Sequence, residues 1–151
     1  MDRETISRLL SEVANGNLSP DEALKELRWQ PVESISDFAR LDHHRSLRQS
    51  MPEFVYGEGK SPEQVAEIMT AMAGRTGRAL ATRITQLHFE AVRSVLPDAA
   101  HYPEARIVSV NSFPKASLGK ALVIAAGTSD VPVAQEAAQV LRFLGNSTQT
   151  L

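Results

Sequence analysis

The stretch that most constrains the fold runs from Lys120 to Gly145 and reads KALVIAAGTSDVPVAQEAAQVLRFLG. Its apolar run, Ala121 to Ala126, is too short for a helix and suits a strand buried on both faces. Gly127, Thr128, Ser129 and Asp130 follow, small or hydroxyl-bearing, and then Val131 and Pro132. Beyond the proline, Val133, Ala137, Leu141 and Leu144 recur at helical spacing, and Gly145-Asn146 signals the stop. Proline suits a first helical turn, where its missing N–H has no partner to lose. The segment is therefore expected to be strand, tight loop and helix. Its loop sits at the carboxyl end of its strand, the place where open α/β sheets bind ligands. Free helix N–H groups and the helix dipole favour an anion there.

Upstream, the sequence predicts a helix over 2–14, with Ile6, Leu9, Leu10 and Val13 on one face and Asn15-Gly16 as its end. Ser19-Pro20-Asp21-Glu22 is a capping box with proline at the first helical position, and it opens a short helix that buries Ala23, Leu24 and Leu27. The two make a helical hairpin over 2–28. From Val32 to Met51 the pattern is ambiguous, with Phe38, Leu41 and Leu47 as bulky apolar positions among mostly polar residues. On a helix, Asp42 and Arg45 would be neighbours and Arg45 and Arg48 would share a face. Two guanidinium groups on one face suit a phosphate or carboxylate, and a solvated face with an ordinary ion pair is the alternative. His43 and His44 point in different directions and have no third ligand at a metal-binding spacing.

Pro52 to Tyr56 reads as a short strand, and Gly57-Glu58-Gly59-Lys60 as a loop whose glycines allow close approach. Lys60 can reach an anionic group from that loop, although the spacing is not that of a Walker motif. A second capping box, Ser61-Pro62-Glu63-Gln64, opens a helix with Val65, Ile68, Met69 and Met72 inward and an end near Gly74. Arg78 to Ile84 reads as a strand with Ala79, Ala81 and Arg83 on one face. Thr85 caps a helix with Phe89, Val92, Val95 and Leu96 inward, and His88 in its first turn reads as structural. Residues 97–104 read as a loop, 105–110 as a strand, 111–119 as a boundary and 146–150 as a frayed polar tail.

The chemistry centres on Thr128, Ser129 and Asp130. Hydroxyls and loop amides can hold a phosphate, to which the helix end would add about 0.3–1 kcal/mol. Asp130 would repel a phosphate, so it is read as an acceptor for a ribose hydroxyl or as a cap on its own helix. An ordinary capped βα turn is the bland alternative. No cysteine occurs anywhere in the 151 residues, which excludes a thiolate metal site, a disulfide and a cysteine nucleophile within this chain. A net charge of −2 gives no general attraction to nucleic acid or membrane. No run of 18 apolar residues is present, and the charged start MDRETISRLL has no secretory pattern, so a cytoplasmic protein is expected.

These motifs resemble the LarB family of nickel-pincer cofactor biosynthesis, whose catalytic domain is related to the PurE-type carboxylases. The likeness rests on Gly127-Thr128-Ser129-Asp130 with Pro132-Val133-Ala134 and Glu136-Ala137. It extends upstream, in order, to Leu41-Asp42, Arg45, Arg48, Pro52-Glu53, Gly57-Glu58-Gly59-Lys60 and Ala81-Thr82-Arg83. The implied fold class is α/β, in three parts. The helical hairpin leads into a small α/β part over 32–111, together an N-terminal domain of residues 1–115. Residues 119–151 would be the first strand, loop and helix of a PurE-like doubly wound domain. The implied activity is carboxylation of the pyridinium ring of nicotinic acid adenine dinucleotide, with cleavage of its phosphoanhydride to give pyridinium-3,5-biscarboxylic acid mononucleotide. CO2 or bicarbonate would be the co-substrate, Mg2+ or another divalent ion would assist, and a cysteine would attack the ring. By position, Gly127, Thr128, Ser129 and Asp130 match the nucleotide-binding loop, and Arg45, Arg48, Lys60 and Arg83 the basic residues of the N-terminal motifs. Glu53 and Glu58 are further candidates. The sequence ends one strand and one helix into the implied catalytic domain, so the chain by itself is expected to be inactive, and the full-length protein to be a homo-oligomer. The rival readings are a PurE-type aminoimidazole ribonucleotide carboxylase of purine biosynthesis and a non-catalytic nucleotide-binding or interaction module.

Overall fold

The computed structural model of the protein describes residues 3–27, 32–35, 39–42, 52–114 and 120–151, with 32–35 and 39–42 described by their backbone alone. Helices and strands alternate in an α/β fold made of two compact units, residues 1–53 and 54–151. In the first unit α1 (Arg3–Ala14) and α2 (Pro20–Leu27) form the expected helical hairpin. The capping box at α2 is made: the Glu22 carboxylate accepts from the Ser19 N–H at 2.9 Å, and the Ser19 hydroxyl accepts from the Glu22 N–H at 3.2 Å. Of the apolar faces expected here, Leu9 and Ala23 are buried, whereas Leu10 and Leu24 are more than half exposed. The ambiguous stretch contains a β-hairpin, β1 (Val32–Ile35) antiparallel to β2 (Ala39–Asp42). Asp42 thus ends a strand rather than lying on a helix, and Arg45, which would neighbour it on one, lies outside the described residues.

The second unit holds a four-stranded mixed sheet in the order β3-β4-β6-β5: β3 (Val55–Tyr56), β4 (Ala79–Thr82), β5 (Ala100–Tyr102) and β6 (Ile107–Val110). β3 runs parallel to β4, and β4 and β5 each run antiparallel to β6. The parallel pair is joined by a crossover through α3 (Pro62–Thr76), and β4 leads into α4 (Gln86–Val95). Residues 97–104, expected to be a loop, include β5, because their backbone pairs with β6. α3 starts at the Ser61 capping box and runs past Gly74 to end at Gly77, whose φ of 71° is the left-handed geometry of a helix stop. Val65, Ala66, Ile68 and Met69 line its buried face. β4 is buried on both faces through Ala79, Leu80 and Ala81. Arg83 leaves the strand at φ 54°, so it does not share a face with Ala79 and Ala81 as alternation predicts. On α4, His88 and Val92 are buried and Val95 is half exposed, against the expectation that Val95 lies inward.

The stretch from Lys120 folds as β7 (Lys120–Val123), a loop, α5 (Val131–Phe143) and a further strand, β8 (Ser147–Thr150). The expected frayed tail is therefore a strand, parallel to β7 in the register Lys120 to Ser147 through Val123 to Thr150. The ladder continues through Leu151 N–H to the Val123 carbonyl and Ala125 N–H to the Leu151 carbonyl, both 2.9 Å. This is a βαβ unit. β7 is shorter than the apolar run and is not buried on both faces: Leu122 is 53% and Ile124 71% exposed. α5 buries Ala138 and Phe143 rather than the Val133 and Ala137 stripe. The large Phe143 ring fixes that rotation. It packs into the core with Leu80, Ala105 and Ile107 and meets Phe54 and Phe113 edge-on at 6.1 and 5.7 Å.

Candidate functional site

Two sets of expected site residues lie within the second unit. One is at the carboxyl ends of β3 and β4. Gly57 follows β3, and its N–H donates to the Thr82 carbonyl at 2.8 Å, extending the parallel pairing by one bond. A Cβ at this position would lie 2.9 Å from that same carbonyl oxygen and 3.0 Å from the Ile84 Cγ2, so only glycine lets the two strand ends close to this distance. The chain then turns: the Lys60 N–H donates to the Gly57 carbonyl at 3.1 Å, and Gly59 takes φ 80°. Within the turn the Tyr56 hydroxyl donates to Glu58 Oε2 at 2.6 Å, which raises the phenol above its usual range because the proton is held by the carboxylate. The Lys60 ammonium donates to the Tyr56 carbonyl at 2.8 Å. Lys60 is thus folded back along its own turn, and Glu58 is engaged by the neighbouring phenol.

Arg83, at the end of β4, is the basic residue that the structure brings toward the loop-bearing helix. Its Nε is 2.6 Å from Glu136 Oε2 on α5. The Nε atom is buried, and its N–H does not point along this vector, so charge rather than an aligned hydrogen bond holds the pair. Both side chains keep partial exposure, 32% and 23%. Glu136 lies six residues beyond Asp130. At the helical rise it stands roughly 9 Å along α5 from the candidate loop.

The loop itself, Gly127 to Asp130, is exposed at every residue. Gly127 takes φ 111°, which favours glycine. Asp130 has helical backbone angles and makes no capping bond with its side chain, so the reading of Asp130 as a cap is corrected. Capping needs an extended backbone that swings the side chain back over the first-turn N–H groups, and Asp130 at φ −89°, ψ −16° lacks it. Its backbone serves the turn instead: its N–H donates to Gly127 at 3.2 Å, and its carbonyl accepts from the Ala134 N–H at 2.9 Å. Neither Thr128 nor Ser129 hydrogen-bonds through its side chain to another described residue. Thr128 and Ser129 and the first-turn residues Val131 and Val133, the two there that carry an N–H, are thus exposed side by side.

Arg45 and Arg48, with His43 and His44, lie outside the described residues. Glu53 is described and is engaged in an interaction of its own. Among the described residues no group of three or more His, Asp or Glu side chains is placed to hold a metal ion. No described helix is long and apolar enough to cross a membrane. Sequence reasoning quoted Glu136 as part of the motif after Asp130 but gave it no role, and it read Tyr56 only as a strand residue. It set His88 aside as structural, although Thr85-x-x-His88 has the spacing of a capping box with histidine in the usual place of Glu or Gln.

Comparison with known proteins supplies the family. Residues 32–112, just over half of the chain, match the LarB/PurE-like N-terminal domain. An uncharacterized protein of the archaeon Methanocaldococcus jannaschii is 30% identical over 144 residues, spanning 91% of this chain and 56% of that protein. The chain therefore spans little more than half the length of this curated relative. Residues 32–112 carry both the Gly57–Lys60 turn after β3 and Arg83, and on this match the chain belongs to the family of the LarB/PurE-like N-terminal domain.

Proposed function

We propose that the chain contributes a dinucleotide-binding surface to a LarB-type carboxylase/hydrolase, acting on nicotinic acid adenine dinucleotide in nickel-pincer cofactor biosynthesis. The observation that carries this reading is the uncapped start of α5: Thr128, Ser129 and the first-turn residues Val131 and Val133, which keep their N–H groups beside Pro132, are exposed, and the Asp130 side chain makes no capping bond. In the proposed complex a phosphate of the dinucleotide accepts hydrogen bonds from these amides and hydroxyls, where the helix dipole adds about 0.3–1 kcal/mol. Asp130 accepts from a ribose hydroxyl, and Arg83, held by Glu136, offers a second positive group. Lys60 leaves the Tyr56 carbonyl for the substrate, exchanging a neutral acceptor for a charged one. With CO2 or bicarbonate as the carboxyl source, these residues bind and orient. The chain has no cysteine, so the nucleophile of the family reaction would come from outside this sequence. The full-length assembly is proposed to be a homo-oligomer.

Titration calorimetry with the 151-residue chain tests the reading. Nicotinic acid adenine dinucleotide is expected to bind, and Ser129→Ala and Asp130→Ala each to weaken it about tenfold, the loss of one charge-assisted bond. Neither substitution removes a side-chain hydrogen bond within the described protein, so stability is expected to stay within about 0.5 kcal/mol. Binding of an aminoimidazole ribonucleotide in preference to the dinucleotide would move the assignment to the purine-synthesis carboxylases, and binding of neither would contradict nucleotide recognition.

A further inference from the structure

His88 is buried, 7% exposed, and uses both ring nitrogens. Nδ1 lies 3.1 Å from the Thr85 backbone nitrogen and 2.6 Å from the Thr85 hydroxyl, closing the capping box of α4. A backbone N–H can only donate, so Nδ1 must accept, and the neutral ring then carries its proton on Nε2. That proton faces the Lys60 carbonyl at 2.9 Å, 28 residues upstream. Capping needs only an acceptor, which Glu or Gln supplies at this helical position in an ordinary capping box. A donor on the far side of the ring does something more: it ties the Lys60 backbone to the start of α4. The turn's own bonds, Lys60 N–H to Gly57 and the ammonium to Tyr56, are local, and the Gly57 to Thr82 bond anchors only its opening. His88 anchors its end.

We propose that His88 is a positioning residue that fixes the Tyr56–Lys60 turn from α4 and so presents Lys60 to an anionic substrate. This rests on the reading of Lys60 as a binding residue. The bond from Nε2 restrains the Lys60 main chain, leaving the ammonium free to exchange the Tyr56 carbonyl for a ligand.

Two substitutions separate the tether from the cap. His88→Glu keeps an acceptor for the Thr85 N–H and removes the donor to Lys60, whereas His88→Gln offers an acceptor and a donor. Hydrogen exchange on the full chain, with titration of nicotinic acid adenine dinucleotide, reads both roles. With His88→Glu we expect α4 amides to stay protected, exchange at Gly57 to Lys60 to quicken about tenfold, and the dinucleotide to bind about tenfold more weakly. His88→Gln should restore the last two. Turn exchange at the unsubstituted rate in His88→Glu would overturn the proposal, as would a loss of protection spread equally over α4, which marks a cap alone. A loosened turn with unchanged affinity would overturn the positioning role while leaving nucleotide binding intact. No dinucleotide binding by the unsubstituted chain would be the separate failure of the functional reading, and would overturn the positioning role with it.

Discussion

Gly57 shows how closely single residues are specified in this chain. A methyl group there meets backbone oxygen rather than a flexible side-chain end, so the strands themselves would have to part. Gly57→Ala is expected to destabilise by about 1–3 kcal/mol, read as a lower urea midpoint; an unchanged midpoint would mean that the β3–β4 ends separate freely. His101 gives a second test. Its ring stacks on Phe89 with centroids 4.2 Å apart, and burial holds its imidazole below the usual range. With the folded pKa below the unfolded one, the unfolded chain takes the proton more readily. The neutral ring's contribution is therefore complete above the unfolded value of about 6.5 and is lost as pH falls from there through the folded value. Glu22 and Glu63, lowered chiefly by bonds from Ser19 and Ser61, act in the same direction but only below the ordinary carboxylate range near 4.5. Stability is thus expected to fall between pH 7 and 5 and to fall less in His101→Phe, which keeps the stack and removes the proton site. Equal slopes in the two proteins would contradict the assignment to His101.

Among the elements, local signals were legible, and so was the buried face of α3 through Val65, Ile68 and Met69, whereas the faces of α4 and α5 were legible only in part. Both serine capping boxes and the Thr85 cap stand where their spacing places them, because capping is decided within four residues. Ser61→Ala should accordingly cost about 1 kcal/mol, measured by thermal unfolding. The proline at the start of α5 was equally legible. The buried stripe of α5 was not, since Phe143 finds Leu80, Ala105 and Ile107 only in the folded unit. β8 was hidden for a related reason: Ser147-Thr148-Gln149-Thr150 has no apolar alternation, and its strand character comes from backbone pairing with β7. Arg83 was read as a site candidate from its place near the carboxyl end of a strand, with a salt bridge as the alternative. Its positive φ and its partner Glu136, 53 residues later, follow from tertiary contact alone.

For the molecule as a whole, the mixed sheet and the βαβ segment belong to one compact unit, and Phe143 is the residue through which α5 enters that unit's core. Phe143→Ala is expected to cost about 3–5 kcal/mol by urea unfolding; a loss below 1 kcal/mol would show that α5 does not pack on the sheet as described. The α/β class was legible from the alternation of capped helices with short apolar runs. The pairing order β3-β4-β6-β5 was not, because nothing local in the sequence records which strand neighbours which. These scales meet at the exposed turn at the start of α5, which is proposed to receive a phosphate of a pyridine dinucleotide, with Arg83 and Lys60 in support. The most direct test is a 15N-resolved NMR titration of the chain with nicotinic acid adenine dinucleotide. Saturable shifts at the amides of Gly127, Thr128, Ser129 and Asp130, with smaller ones at Arg83 and Lys60, are the predicted result. Shifts confined to other residues, or none at millimolar dinucleotide, would contradict it.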